Sequence, residues 1–114
     1  MRRDRQQKII DYSTARARRS FLRSAEIVAD CTGVPFRELV KVNRIGRHSR
    51  RDGLVFARRA VIYLAVVAGD VRMASLARAI ERPRRAVLKA CRMAEDQRED
   101  GAIDALFDRM EAML

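Results

Sequence analysis

Apolar side chains recur along this chain at helical intervals, broken by a few glycines and prolines. From about Ser20 to Cys31 they fall at Phe21, Leu22, Ala25, Val28, Ala29 and Cys31, the repeat of one helix face. Gly33 ends that run, and Pro35 suits the first turn of a short second helix holding Phe36, Leu39 and Val40. Leu54 to Ala68 is the most apolar stretch, with Ala57, Val61, Leu64, Ala65 and Ala68 on one face and Gly69-Asp70 as its stop. It is the expected central helix. A short apolar helix from Met73 to Ile80 leads through Glu81-Arg82-Pro83 into an amphipathic run that reaches Glu95. Asp100-Gly101 breaks the chain again, and Ile103, Leu106, Phe107, Met110 and Leu114 mark a final amphipathic helix. Residues 1–19 have only Ile9, Ile10 and Tyr12 as large apolar groups, and read as a short helix or a mobile arm.

Composition sharpens this into a fold class. At 114 residues the chain fits one compact domain, and 48% hydrophobic content is enough for a core. Five Gly and two Pro leave too little punctuation for a many-turned β fold, so the expectation is an all-α helical bundle, 20–114, behind a basic segment, 1–19. The longest apolar run, Ala60 to Gly69, is about half a membrane span. The arginine-rich start lacks the apolar core of a secretory signal, and Asp4 and Asp11 speak against a mitochondrial presequence. A cytoplasmic, nucleoid-associated protein without a membrane partner is the plain reading. Cys31 and Cys91 lie sixty residues apart on apolar faces and read as reduced, buried thiols.

Charge then points to a partner. The 25 Lys and Arg outweigh 15 Asp and Glu, for a formal net charge of +10, and all but Lys8, Lys41 and Lys89 of the basic residues are arginines. Arginine presents a planar fork to phosphates and guanine edges, which favours nucleic acid, although a GC-rich genome also enriches it. Residues 1–24 are net +6 and residues 25–95 net +8, whereas residues 96–114 are net −4. The two ends therefore suit different partners. The acidic last helix, 102–114, could contact a protein, close the core or form a dimer.

The basic groups concentrate in two places. In the helix after Pro83, Val87, Cys91 and Ala94 form the inward stripe, while Arg85, Lys89 and Arg92 lie on the opposite side and Arg84 at the tip. With Met73–Ile80 before it, this is the pattern of a helix-turn-helix whose second helix meets a polyanion. Pro83 gives up an amide hydrogen that would be unpaired anyway, and the free amides after it add positive potential. Residues 43–53 hold Arg44, Arg47, Arg50 and Arg51 with His48 and almost no apolar side chains, a basic loop able to follow the backbone or enter a minor groove. His48 is a phosphate-side donor or a bystander. With one histidine, no glycine-rich phosphate loop and no serine beside a base, no catalytic arrangement is present, and no metal or cofactor is expected.

The stretch from about Ala25 to Glu95 resembles the C-terminal DNA-binding domain of the bacterial replication initiator DnaA. Val87-Leu88-Lys89-Ala90-Cys91-Arg92 followed by Glu95 is similar to the V-[IL]-H-A-C-R-K-I-E tail of that family's signature. The alanine-rich helix Ala57 to Ala68, the basic loop 43–51, and Val28-Ala29 with Val34 and Leu39 fall in the family's order. Where the family reads DNA through G-R-D-H-T-T, this chain has Glu81-Arg82-Pro83-Arg84-Arg85-Ala86, one residue fewer in the turn and only Arg82 retained. The resemblance thus implies the fold and the docking mode but not the sequence preference, and the absence of an ATPase domain argues against an initiator. It implies a DnaA-type helix-turn-helix binding double-stranded DNA, with Arg82, Arg84, Arg85 and Lys89 at the major groove. Arg44, Arg47, His48, Arg50 and Arg51 would lie on the minor groove or backbone, and Arg58 and Arg59 would hold the backbone. The expected function is transcriptional control, as in phage-type or gene-transfer-agent activators, by recruitment of a protein partner. The alternative is a modulator of replication initiation acting mainly through a protein, and a third reading is non-specific nucleoid or RNA binding.

Overall fold

The structure, a computed structural model, describes residues 2–41 and 52–114. It is all-α, with no strand among the described residues. The helices are α1 (Arg2–Thr32), α2 (Phe36–Val40), α3 (Asp52–Val67), α4 (Met73–Ala79), α5 (Arg84–Gln97) and α6 (Gly101–Met113). No helix among the described residues is long and apolar enough to cross a membrane.

The central position expected of Leu54–Ala68 is occupied by α3. Ala60, Val61, Ile62, Tyr63, Leu64 and Ala65 are buried in succession, so this helix is enclosed on all sides. α1 and α5 pack on different sides of α3, and α4 bridges α1 and α5 while barely touching α3. α1 and α5 thus both pack on α3 and α4 rather than on each other.

α1 departs from the sequence-based expectation in two ways. It does not begin near Ser20 but runs unbroken from Arg2, and no Gly or Pro occurs before Gly33 to stop it. What holds residues 12–20 in place is small or hydroxylic rather than bulky. Ala17 is fully buried, Ser13 Oγ meets Ser75 Oγ at 2.5 Å, and the Ser20 hydroxyl donates to the Ala65 carbonyl at 3.2 Å. Leu22, read as a core position, is 39% exposed, because Phe21, Ser24, Ala25, Ile27 and Val28 make the inward face. Ser24 is fully buried and its hydroxyl has no partner among the described residues.

The helix ends follow their local chemistry. Gly33, at φ +77, donates its amide to Ala29 O at 2.9 Å and closes α1. At the end of α3 the left-handed residue is Asp70 (φ +51), not Gly69. Gly69 is needed for a different reason: a Cβ there would run into the Ser20 hydroxyl and the Ala65 carbonyl, so it sets the close approach of α1 to α3. α4 ends in a Schellman turn, with Arg82 N–H on Ala77 O at 2.9 Å, Glu81 N–H on Arg78 O at 3.3 Å and Glu81 at φ +55. Asp100 caps α6, its carboxylate accepting from the amides of Ala102 and Ile103.

α6 closes the core. Phe107 and Met110 are fully buried, and the Phe107 ring meets Tyr63 and Phe56 edge-on at centroid distances of 5.1 and 5.8 Å. Its carboxylates converge on one cation. Arg98 donates to Asp104 and Glu111 at 2.6 Å each and to Asp108, and its guanidinium lies 5.5 Å from the Phe107 ring centroid. Of the three roles open to the acidic helix, core closure is the one seen, and its acids are engaged within the chain. Its last turn returns to α1, where Arg23 donates to the Met113 carbonyl and Cys31 Sγ lies 3.7 Å from Met113 Sδ.

Candidate nucleic-acid interface

α5 divides its side chains cleanly. Val87, Ala90, Cys91 and Ala94 are buried against the core. Arg85, Lys89 and Arg92, at i, i+4 and i+7, are exposed on the opposite side, and Arg84 is exposed at the first helical position. Pro83 precedes it at φ −59, which is preset for a helix start, and no side chain caps the end. The first turn holds no acid, so the amide dipoles add to the arginines without neutralisation there. None of these four cations makes an ion pair among the described residues.

Beside the stripe lies a groove of about 200 Å³ between α3 and α5. Ile62, Ile80 and Met93 contribute apolar lining, and Arg58, Arg59, Arg82 and Lys89 supply its cations. Arg82 is half-buried; its Nε is shielded from water and finds no acceptor among the described residues. A donor in that position costs free energy until an acceptor arrives, on the order of 1–3 kcal/mol. Its backbone is fixed by the bond to Ala77 O, so the turn that ends α4 also aims this side chain.

The structure thus brings Arg59, Arg82, Arg84, Arg85 and Lys89 onto one continuous surface. Arg58 departs from the backbone-holding role expected for it. It is only 6% exposed, and its Nε donates to the Glu38 carbonyl at 3.1 Å, tying α2 to α3. Adjacent positions on a helix point about 100° apart, which buries one arginine of the pair and leaves the next at the surface. Arg44, Arg47, His48, Arg50 and Arg51 lie outside the described residues. Met93 was missed as a groove residue, although its place one turn beyond Lys89 marks it. On the opposite face, burial and the nearby Glu95 push the Cys91 thiol up to about 11, which keeps it protonated and unreactive at neutral pH.

Comparison of this chain with protein-family models, with curated proteins and with solved structures gives no match to any of them.

Proposed function

We propose that this chain binds double-stranded DNA and regulates transcription, using α4 and α5 as a helix-turn-helix of the DnaA-domain type. The observation that carries the reading is the unneutralised stripe Arg84, Arg85, Lys89 and Arg92, continuous with the groove cations Arg59 and Arg82. In this reading Arg84 and Arg85, at the start of α5, reach base edges in the major groove, where an arginine fork matches guanine O6 and N7. Lys89 and Arg92, further along the stripe, and Arg59, across the groove, take phosphates. Arg82 Nε, without an acceptor among the described residues, gains one in the bound state.

The charge pattern favours retained DNA affinity over the alternative of a replication modulator acting only through protein. At the positions where the resemblance would place base contacts, the chain carries arginines rather than neutral or acidic residues. The test is fluorescence anisotropy on a selected site and on scrambled duplexes. Arg84→Ala or Arg85→Ala should cost about 1–3 kcal/mol on the selected site and relax its sequence preference. Equal loss on every duplex would move both residues to the phosphates. With Lys89, Arg92 and Arg59 on phosphates, log affinity should fall against log salt with a slope of about −3 or steeper, and a flat response would overturn the reading. Mapping of bound sites across the genome separates promoters from a replication origin.

A further inference from the structure

The long helix α1 carries a second basic face that the α5 reading does not use. Tyr12, Arg16, Arg19 and Arg23 follow one another at i, i+4, i+7 and i+11, and all are exposed, Tyr12 by 69%. Ala17, Phe21, Ser24, Ala25 and Val28, on the other side of the helix, are buried. The line therefore points away from the core at Tyr12, Arg16 and Arg19. At Arg23 it meets packed structure, where Ile27 one turn on is buried and Arg23 reaches the Met113 carbonyl of α6. Arg16 and Arg19 make no ion pair among the described residues, and Arg23 pairs with exposed Glu26, one turn on, and donates to the Met113 carbonyl. Beyond Arg23 the same line turns acidic at Glu26 and Asp30, so the cationic surface has a definite end.

We infer that this face of α1 is a second binding surface for double-stranded nucleic acid, and that one copy of the chain joins two duplex segments. Three arginines at steps of about 5–6 Å on a rigid helix suit the closely spaced charges of a duplex backbone. The exposed Tyr12 ring and hydroxyl extend that line at its amino-terminal end. Charge complementarity commits the surface to a polyanion, and the all-arginine composition to phosphate, which a guanidinium meets with two parallel donors.

The position of α1 makes this more than an enlarged footprint. α1 and α5 pack on α3 and α4 rather than on each other, and the buried face of each turns inward. Their basic faces consequently lie on different sides of a body whose two shorter Cα extents are 31 and 23 Å. A short straight duplex seated on α5 does not reach the outer face of α1, whereas a second segment does. The joining of two segments rests on the α5 reading, while the α1 contact by itself does not.

Four proteins test both parts: the wild type, an α1 variant (R16Q/R19Q/R23Q), an α5 variant (R85Q/K89Q/R92Q) and their combination. Glutamine keeps helix propensity, and circular dichroism verifies the fold. Anisotropy on a labelled duplex of random sequence is read across a salt series. The α5 variant should keep salt-dependent binding that the combined variant loses. In a second assay an immobilised duplex with bound protein captures a labelled free duplex. The wild type should capture it, and the α1 variant should bind the immobilised duplex yet capture at least about tenfold less. If the α5 variant binds no duplex, or if the α1 variant captures as the wild type does, the inference is overturned. The latter result would assign bridging to paired copies and the α1 stripe to an acidic protein surface. Failure of the α5 reading has a different signature, an α5 variant that binds duplex as the wild type does.

Discussion

At Glu81 backbone and charge pull in one direction. Its φ of +55 is a conformation that L side chains hold at a cost of about 1–2 kcal/mol, part of which glycine returns as chain entropy. It is also an exposed acid directly before Arg82, one of the cations of the proposed DNA surface. Glu81→Gly should therefore raise stability by about 0.5–1 kcal/mol in urea titration and also tighten duplex binding. A stabilised variant with unchanged affinity would place Glu81 outside the interface. Cys91 gives the residue scale its pH dependence. The unfolded chain releases this proton near 9.0 and the folded chain holds it to about 11. The contribution is complete below pH 9 and is lost as pH rises through 11. Burial raises the Tyr63 hydroxyl in the same sense. Urea midpoints should be level below pH 9 and fall toward pH 11, and Cys91→Ala should flatten part of that fall.

Among the elements, α6 depends most on a single side chain. Arg98 is anchored by three α6 carboxylates and the Tyr63 hydroxyl, and it covers the Phe107 ring. Arg98→Met, which keeps much of the stem, should cost on the order of 2 kcal/mol, with the rise in amide exchange concentrated in α6. A uniform rise would mean that α6 and the bundle unfold together. This arrangement was not legible in the sequence. Asp100-Gly101 reads only as a break in the chain, because an arginine in a turn has no helical register with the acids that follow it. The ends of the elements were legible, since Gly33, Pro35, Pro83 and the Asp100 cap act through local backbone chemistry. The beginning of α1 was not. Its buried side is made of Ser13, Ala17, Ser20 and Ser24, which a search for large apolar groups passes over. Nor could two adjacent arginines be told apart before α2 supplied the carbonyl that holds Arg58.

For the whole molecule, continuity of α1 makes the basic first segment part of the bundle. Deletion of residues 1–19 removes Ala17 from the core and the Ser13–Ser75 contact, and it uncovers α4. Stability should fall by roughly 2–5 kcal/mol, as for a core truncation, with a matching drop in Tm. An unchanged Tm would show that the bundle begins near Ser20. The overall charge is equally structured. Among the described residues, unpaired cations form outward faces on α5 and α1, while Asp104, Asp108 and Glu111 of α6 gather on Arg98.

The contact between Cys31 and Met113 equips the protein with its own reporter. Cys31 is half-buried at the seam where the end of α6 meets α1, and Cys91 is buried and held protonated. A thiol-directed dye added near neutral pH will therefore reach Cys31 first. Its emission will follow the seating of α6 on α1, giving a spectroscopic signal for that seam without any engineered label site.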